Sequence, residues 1–264
     1  MAQKLRGLEN KRILVVEDVE LNQYLARHIM ESWGCIVNVV ENGQKAVEKI
    51  KTDNYDLVLM DIQMPVMDGI EATKRIRRMD DPEKASIPII ALTANAMPNE
   101  FEIYLKSGMN DCMQKPFEEP ALFRVISKNI RKSNNESVAE QAPVVNAAPA
   151  SGKMYDLAMV EMISGGDSTF IQKMLKLFLD TVPATLNDLR SSTKKADWLQ
   201  VSKVAHKLKS TIDSMGIADI SKDIRTIESN GKMNTDVNNI PSLVEKIIAV
   251  IEKVMVQVKK DHSL

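Results

Sequence analysis

The sequence predicts two domains: an α/β domain built on a doubly wound, five-stranded parallel sheet, and a separate all-α helical bundle. In the first half, short apolar runs rich in Val, Ile and Leu alternate with amphipathic segments, which is typical of a parallel sheet covered by helices on both faces. The second half shows helical periodicity without strand-like alternation. A length of 264 residues suits two domains of ordinary size.

Five segments of the first half are predicted strands, of which the fifth is the weakest. The first four are nearly all apolar, as strands buried on both faces should be. The strands are predicted at residues 12–16, 35–40, 55–60, 87–93 and 111–114. The helices between them are predicted at residues 20–33, 43–52, 69–79, 98–107 and 119–131. In such a sheet the functional site lies at the carboxyl ends of the strands.

Residues 132–153 are polar, rich in Ala and Pro, and without periodicity. They predict a flexible linker between a first domain at residues 1–131 and a second at residues 154–264. As a flexible coil, such a segment has a span of roughly 25 Å. A tether of this kind would let one domain reach the surface of another.

Five helices are predicted in the second half. Asp156, Asp167 and Asp197 stand at plausible N-cap positions. Pro241 suits a first helical turn, whereas Pro183 is expected to kink or split the second helix. The helices are predicted at residues 156–164, 168–190, 196–214, 217–229 and 240–259. Their apolar residues repeat at helical spacing, which favours a bundle core.

The composition excludes several classes of protein. A formal charge of -1 lacks the basic excess that nucleic-acid binding demands. No stretch approaches the ~18 to 20 apolar residues that span a bilayer, and no secretory signal is present, so we expect a cytoplasmic chain without membrane insertion. Cys35 and Cys112 lie in separate segments and indicate neither a zinc site nor a disulfide framework.

Acidic residues follow two of the predicted strands. Glu17 and Asp18 follow the first strand, and Asp61 follows the third. Because the carboxyl ends of parallel strands meet at one edge of the sheet, the three carboxylates should form one pocket. Clustered carboxylates repel one another unless a cation neutralises them. A hard divalent ion with oxygen ligands fits best, and we expect Mg2+.

Two further polar groups are expected at the same edge. Thr93 ends the fourth strand, and Lys115 follows the fifth, directly before Pro116. Taken singly, an acid at a strand end is as often a cap for the next loop or helix. Acids, a metal, a hydroxyl and an ammonium group together suit phosphoryl transfer, in which the protein positions groups and compensates charge.

With these motifs, residues 10–132 resemble the response-regulator receiver domain, which has a flavodoxin-like fold. The matching motifs are Glu17-Asp18, the DxxMPxMDG loop that begins at Asp61, Thr93-Ala94 and Lys115-Pro116-Phe117. The resemblance implies that Asp61 accepts the phosphoryl group and that the Lys-Pro peptide is cis. It also implies that Thr93 bonds one phosphoryl oxygen and that Lys115 neutralises another.

The same resemblance implies a magnesium site. Asp18 and Asp61 would bind the ion, Glu17 would hold a metal-bound water, and the backbone carbonyl of Gln63 would be a further ligand. The sequence departs from the family three residues before the lysine, where Cys112 stands in place of the usual aromatic switch residue. An aromatic-coupled output switch is therefore in doubt.

His206 is the candidate phosphoryl carrier of the second domain. At ~100° per residue, it points roughly 150° away from the apolar stripe of its helix, so we expect it to face solvent. Lys203, Lys209 and Ser210 share its side of the helix. These residues would form a surface for an incoming phosphoryl group. A solvated histidine on a lysine-rich face is the ordinary alternative.

The stretch AHKLKSTIDSMG, residues 205–216, resembles the active helix of a histidine phosphotransfer (HPt) domain, a helical bundle covering about residues 154–260. The resemblance implies that His206 is phosphorylated. Ser210 replaces the usual glycine of the family, and Asp213 puts an acid where small neutral residues are common. The other histidines, His28 and His262, are interpreted as packed or solvated residues.

These observations predict an Mg2+-dependent phosphorelay protein that passes a phosphoryl group between phosphohistidine, Asp61 and His206. The expected partners are an upstream sensor histidine kinase and a downstream response regulator or HPt partner. The sequence has neither a GxxxxGK[ST] loop nor a kinase-like glycine motif, so the phosphoryl group must come from elsewhere and the status as an enzyme stays open. Two alternatives remain: a non-catalytic, receiver-controlled interaction module, and a C-terminal fragment of a hybrid sensor histidine kinase.

Overall fold

The computed structural model of the chain describes residues 7–93, 98–116, 118–132 and 154–264. It divides into two units, Met1–Asn146 and Ala147–Leu264. This division falls within the predicted linker, which apart from Lys132 lies outside the described residues. The linker and the two domain boundaries therefore stay predictions.

The first unit contains a five-stranded, wholly parallel sheet, as the sequence predicts. The strand order is β2-β1-β3-β4-β5. The strands are β1 (Arg12–Val16), β2 (Ile36–Val40), β3 (Leu57–Asp61), β4 (Ile89–Thr93) and β5 (Asp111–Gln114). In the register, Val16 lies opposite Met60, and Asp61 lies opposite Leu92. The ends of β1, β3 and β4 are therefore neighbours, which decides where the polar residues that follow them lie.

Six helices of the first unit lie among the described residues, and all but the fourth, a single turn, are longer than eight residues. They are α1 (Glu20–Ser32), α2 (Gly43–Thr52), α3 (Gly69–Arg77), α4 (Pro82–Ala85), α5 (Pro98–Lys106) and α6 (Glu119–Lys132). Asn42 caps α2 and Asp68 caps α3 through side chains that accept backbone N–H groups. The sequence analysis missed α4, since a single turn is too short to show helical periodicity. Asp81 and Pro82 at its start are nonetheless the usual signals for a first turn.

The core of the first unit lies between the sheet and its helices. Every residue of β3 and β4 is buried, which explains their almost uninterrupted apolar sequences. The apolar faces of α2 and α3 pack on β1 and β3 in one cluster that includes Leu14, Val58, Val47, Ala72 and Ile76. The polar Asp61 therefore ends a strand that is otherwise hydrophobic and closely packed.

In the second unit, every element of the described residues 154–264 is a helix. Its helices are α7 (Ala158–Ser164), α8 (Ser168–Lys194), α9 (Trp198–Ser214), α10 (Ser221–Met233) and α11 (Ile240–His262). Asp167 and Asp197 are the predicted N-caps of α8 and α9. Asp156 lies one residue before the N-cap of α7, and its side chain accepts the N–H of Ala158 at 2.8 Å. Pro241 lies in the first turn of α11, as predicted.

The helix α8 runs unbroken through Pro183, so the proline does not split it, and the alternative expectation of a kink stays a prediction. A proline inside a helix removes one hydrogen bond and costs about 3 kcal/mol. The buried side chains of Val182 and Leu186 lie on either side of it along the helix. Their packing in the bundle outweighs the lost hydrogen bond. Among the residues described, no helix is both long enough and apolar enough to cross a membrane.

The start of α3 lies very close to the end of β3. The N–H of Gly69 donates to the carbonyl of Ile62 at 3.0 Å. A Cβ atom built on Gly69 would lie 2.2 Å from the carbonyl oxygen of Asp61 and 2.9 Å from Cγ of Met60. A glycine is therefore required here, because any side chain would push α3 away from the strand that carries Asp61.

We expect Gly69→Ala to destabilise the first unit by about 1–3 kcal/mol, because overpacking against backbone forces a local shift. Urea titration followed by hydrogen exchange of the β3 peptides measures this loss and assigns it to the correct domain. The control is Lys74→Ala, at an exposed position of the same helix. Equal stability of the two variants would contradict the prediction.

Candidate functional site

Three carboxylates meet at the carboxyl edge of the sheet, as the sequence predicts. Glu17, Asp18 and Asp61 each offer one ligand oxygen, and these oxygens all lie within 4.8 Å of one another. Asp61 is 2% exposed and Glu17 is also buried. The neighbouring positions of β1 and β3 produce this cluster, because each acid stands at the end of, or directly after, its strand.

Lys115 partly neutralises the acidic cluster. Its Nζ atom lies 2.7 Å from Oδ2 of Asp61 and 2.8 Å from Oε2 of Glu17, and the side chain is 6% exposed. Burial would lower the pKa of Lys115, but the charges and hydrogen bonds of Asp61 and Glu17 outweigh burial and raise this pKa above its ordinary value. The ammonium group therefore keeps its charge inside the protein.

The backbone at Lys115 is bonded to the neighbouring strand. The N–H of Lys115 donates to the carbonyl of Thr93 at 2.7 Å, which joins the ends of β4 and β5. The Lys115–Pro116 peptide is cis, as the resemblance implies. Ala94 and Phe117, which belong to the same motifs, lie outside the described residues.

Glu17 is held by groups that the sequence analysis did not identify. The side-chain amide of Asn22 donates to Oε1 of Glu17 at 3.0 Å, and the N–H of Val19 donates to the same oxygen at 3.2 Å. Asn22 lies among the buried residues of α1, where a polar side chain is unusual. A polar residue on the otherwise apolar buried face of α1 is the sequence signal from which the role of Asn22 could have been predicted.

Gln63 and Thr93 also lie next to polar groups of this region. The N–H of Gln63 donates to Oδ1 of Asp61 at 3.2 Å. The role of the Gln63 carbonyl as a metal ligand stays a prediction.

Thr93 is buried at the end of β4, and its Oγ1 lies 3.3 Å from the hydroxyl of Tyr104 on α5. Sequence reasoning did not single out Tyr104.

The donor set of the cluster suits a divalent cation. In this cluster three carboxylates stand beside one ammonium group, so negative charges outnumber positive charges within a few ångströms. The groups that offer ligand atoms are all carboxylates, which hard ions such as Mg2+ prefer. The residues present therefore fit the predicted metal.

The prediction that His206 faces solvent is wrong. His206 on α9 is 7% exposed. Its Nδ1 lies 2.6 Å from Oε1 of Glu228 on α10. The polar side of α9 is covered because α10 packs against it, and the hydroxyl of Ser202 also donates to the carbonyl of Glu228 at 2.7 Å. A projection of one helix could not show that a second helix covers its polar side.

The close approach of the two helices depends on small and polar residues at helical spacing. Ser202, His206 and Lys209 form a polar stripe on α9 that contacts Glu228. A Cβ atom at Gly231 of α10 would lie 2.6 Å from the carbonyl oxygen of Trp198, so no larger residue fits there. The stripe and the glycine are the sequence signals that could have predicted this interface.

Of the three residues predicted to form a phosphate-binding surface on α9, one is displayed to solvent. Lys203 is exposed, but Lys209 and Ser210 are buried. Nζ of Lys209 lies 2.5 Å from Oε2 of Glu228. Burial would raise the pKa of Glu228, but hydrogen bonds from His206 and Lys209 outweigh burial and lower this pKa to about 2. Lys209 therefore holds Glu228 as a carboxylate beside the imidazole, and is not displayed to solvent.

Asp213, the unusual acid of the motif, is paired. Nη2 of Arg225 on α10 donates to Oδ2 of Asp213 at 2.7 Å, and Nη1 of the same arginine donates to the carbonyl of Ser221 at 2.7 Å. The arginine compensates the negative charge of Asp213. The acid therefore adds no net negative charge near His206.

Comparison with known proteins supports both halves of this description. Residues 13–127 match the family model of the response regulator receiver domain, and residues 173–255 match that of the Hpt domain. The aerobic respiration control sensor protein ArcB of Escherichia coli O157:H7 is 34% identical over 222 residues, which is 82% of this chain and 27% of the relative. Sensor protein GacS of Pseudomonas syringae pv. syringae is 30% identical over 224 residues, covering 84% of this chain and 25% of the relative.

A solved receiver domain is also similar. It is the receiver domain of the sensor histidine kinase PA1611 of Pseudomonas aeruginosa PAO1. Its crystal structure has a magnesium ion coordinated in the active-site cleft. It is 40% identical, with a TM-score of 0.43, over 46% of this chain and 98% of that one. The present chain spans about a quarter of the length of the two curated relatives. By the two family models, the chain belongs to the response regulator receiver family over residues 13–127 and to the Hpt domain family over residues 173–255.

Proposed function

We propose that the chain is an Mg2+-dependent phosphorelay protein in which Asp61 and His206 carry the phosphoryl group. One observation carries this proposal: Asp61 is buried in a carboxylate cluster and contacts the ammonium group of Lys115 directly. A buried carboxylate with one oxygen next to an ammonium group is suited to attack a phosphoryl group, because the cation can stabilise the negative charge of the phosphoryl oxygens. The presence of an Hpt domain in the same chain supplies a histidine as the second carrier.

In the proposed first step, a carboxylate oxygen of Asp61 attacks the phosphorus of a phosphohistidine. The P–O bond forms as the P–N bond breaks, and its electron pair returns to the imidazole nitrogen. Glu17, Asp18 and Asp61 would hold Mg2+, which supplies charge compensation for the phosphoryl oxygens. Lys115 already contacts Asp61, so its ammonium group is in position to neutralise the negative charge of a second phosphoryl oxygen. The hydroxyl of Thr93 would donate a hydrogen bond to the third phosphoryl oxygen.

In the proposed second step, Nε2 of His206 attacks the phosphorus carried by Asp61. The P–N bond forms, the P–O bond breaks, and the carboxylate of Asp61 is restored. Glu228 acts here as a positioning residue. An ionised carboxylate can only accept, so Nδ1 of the neutral ring carries the proton and Nε2 keeps its lone pair. The same carboxylate stabilises the positive charge that the ring acquires.

The burial of His206 requires a movement before this step. Its Nε2 atom is inaccessible and has no hydrogen-bond partner among the described residues. An unsatisfied buried nitrogen of this kind costs about 1–3 kcal/mol. Exposure of Nε2 therefore breaks no hydrogen bond of this nitrogen and relieves that cost. We propose that a local opening of this part of the bundle precedes transfer.

The proposed partners follow from the domain content. The chain has no nucleotide-binding motif in its sequence, so an upstream sensor histidine kinase would supply the phosphoryl group. A downstream response regulator or HPt protein would receive it. The proposed location is the cytoplasm. The two curated relatives are sensor proteins several times longer than this chain, which keeps a role as part of a hybrid sensor histidine kinase as the second candidate.

We expect a phosphorylated histidine kinase with Mg2+ to label Asp61 and His206. Asp61→Asn removes the acyl phosphate, which is labile to alkali, and His206→Gln removes the phosphoramidate, which is labile to acid. Chelation of Mg2+ should reduce the labelling of Asp61, because the three carboxylates then lack their counter-ion. Labelled phosphate, mapped by mass spectrometry, measures each change.

Two matched variants control this experiment. Asp56→Asn removes a carboxylate of the same domain that pairs with Lys11, and His28→Gln removes another histidine. Both should leave the labelling unchanged. Label on neither Asp61 nor His206 would defeat the relay and leave the non-catalytic interaction module as the better account.

We expect Glu228→Gln to lower the stability of the second unit at neutral pH by on the order of 1–3 kcal/mol, since two charge-assisted hydrogen bonds weaken. The folded pKa of Glu228, about 2, lies below its ordinary value of 4.5. Wild type should therefore exceed Glu228→Gln in free energy of unfolding by the full amount above about pH 5. This difference should disappear as the pH falls toward 2.

Urea unfolding of both proteins across this pH range measures the difference. Glu245→Gln, which removes an exposed carboxylate near Arg190, is the control and should show little difference at any pH. If the free energies of unfolding of wild type and Glu228→Gln differ by the same amount down to pH 2, the pKa of Glu228 is not lowered and the prediction is wrong.

A further inference from the structure

The polar contacts between α9 and α10 continue beyond His206. Asp213 follows His206 by seven residues, or about two turns, so the two residues lie on the same side of α9. Oδ2 of Asp213 lies 2.7 Å from Nη2 of Arg225, which lies one turn before Glu228 on α10. A second charged contact between the helices therefore lies next to the one that holds the imidazole.

Lys209 lies between the two acids of these contacts. It precedes Asp213 by four residues, a spacing at which side chains of one helix are neighbours. Its Nζ atom lies 2.5 Å from Oε2 of Glu228. Burial raises the pKa of Asp213, but the charges of Arg225 and Lys209 act in the opposite direction. The charge of Lys209 therefore acts on both carboxylates, although its ammonium group contacts Glu228.

Arg225 decides which acid Lys209 has to neutralise. Its guanidinium is fixed, because Nη2 donates to Asp213 while Nη1 donates to the carbonyl and the hydroxyl of Ser221 at 2.7 and 2.6 Å. The side chain of Asp213 is 12% exposed, so its charge without Arg225 would need another cation. Lys209 is the other cation whose charge lowers the pKa of this acid. Loss of Arg225 would therefore draw Lys209 toward Asp213.

The position of Lys209 matters for His206 because Glu228 connects the two. Oε1 of Glu228 lies 2.6 Å from Nδ1 of His206, and Oε2 of the same carboxylate contacts Lys209. A carboxylate that is bonded through both oxygens has a fixed orientation. If Lys209 left Oε2, the carboxylate would be free to turn, and Nδ1 would lose the acceptor that fixes the tautomer of the ring.

We propose that Arg225 is a positioning residue, which neutralises Asp213 and thereby keeps Lys209 on Glu228. Asp213 stands where small neutral residues are common in HPt domains, so this chain combines an unusual acid with an arginine that offsets it. The inference rests on the proposed role of His206 as a phosphoryl carrier.

Arg225→Gln tests the proposal, because it removes the charge and keeps a long polar side chain. The full chain is labelled through a phosphorylated histidine kinase with Mg2+. The rate of labelling of His206 should fall about 3- to 10-fold, because a charge-assisted hydrogen bond of Glu228 is weakened. The labelling of Asp61 should stay unchanged. Carbon-13 NMR of the Glu228 carboxyl group supplies a second readout, in which its pKa of about 2 should rise toward 4.5.

Asp213→Asn separates this role from a simple contribution to packing. Asp213→Asn and Arg225→Gln break the same ion pair, so a purely structural pair predicts equal effects. The proposal predicts that Asp213→Asn keeps the wild-type rate. It also predicts that Asp213→Asn restores the rate when it is combined with Arg225→Gln, since Lys209 then has one acid to neutralise. Arg225→Lys, which keeps the positive charge, should retain most of the rate.

Lys246→Gln is the matched control. Nζ of Lys246 on α11 lies 2.6 Å from Oδ2 of Asp223 on α10, so the loss of this lysine also leaves an acid of α10 without its cation. The Lys246–Asp223 pair joins α10 to α11 and not to α9. The control should therefore change neither the rate of labelling of His206 nor the pKa of Glu228.

The outcomes separate this inference from the proposed function. Equal effects of Arg225→Gln and Asp213→Asn, or a double variant no faster than Arg225→Gln, overturn the role of Arg225 and leave the relay intact. If Arg225→Gln does not fold, a slower labelling of His206 in Asp213→Asn overturns that role, and a wild-type rate supports it. Absence of label on His206 in wild type overturns the proposed function, whereas the pKa of Glu228 in the variants still tests the division of charges.

Discussion

The arrangement of the receiver site depends on the contact of Lys115 with Asp61 and Glu17. The parallel register of β1 and β3 forces three carboxylates to the same edge, where their mutual repulsion opposes ionisation. A buried lysine alone would be equally unfavourable. Each group is tolerable only because the other is present, and the backbone bond from Lys115 to Thr93 holds β5 where the ammonium group reaches both acids.

The second unit also pairs a carboxylate with a buried lysine, but the proposed roles of the two groups differ from those in the receiver site. Glu228 is partly buried between His206 and Lys209, and these partners keep it ionised. In the receiver site the carboxylate is the proposed phosphoryl carrier and the lysine compensates its charge. In the bundle the carboxylate orients the proposed carrier. Both sites thus combine an acid with a buried lysine, but the proposed reactive atom belongs to the acid in the receiver site and to the histidine in the bundle.

The sequence predicted the receiver site better than the bundle site, and the reason is geometric. Parallel strands bring their carboxyl ends together whatever their side chains, so Asp61 and Glu17 could be placed without knowledge of packing. The side of a helix that faces solvent depends on the neighbouring helix, and the apolar stripe of α9 did not show that α10 would cover His206. Asn22 and Tyr104 were missed for the same reason, since they act through contacts with other elements.

The covered imidazole makes an opening of the bundle part of the proposed transfer. Among the described residues, the buried Nε2 atom has no hydrogen-bond partner, so the closed state carries a cost that exposure relieves. Water would satisfy the same nitrogen, but it brings no positive charge to balance the phosphoryl oxygens. A receiver site with its lysine and the proposed metal would supply that balance. We therefore expect transfer to be favoured over simple exposure when a receiver site approaches the opened helix pair, and the burial of His206 is compatible with its proposed role.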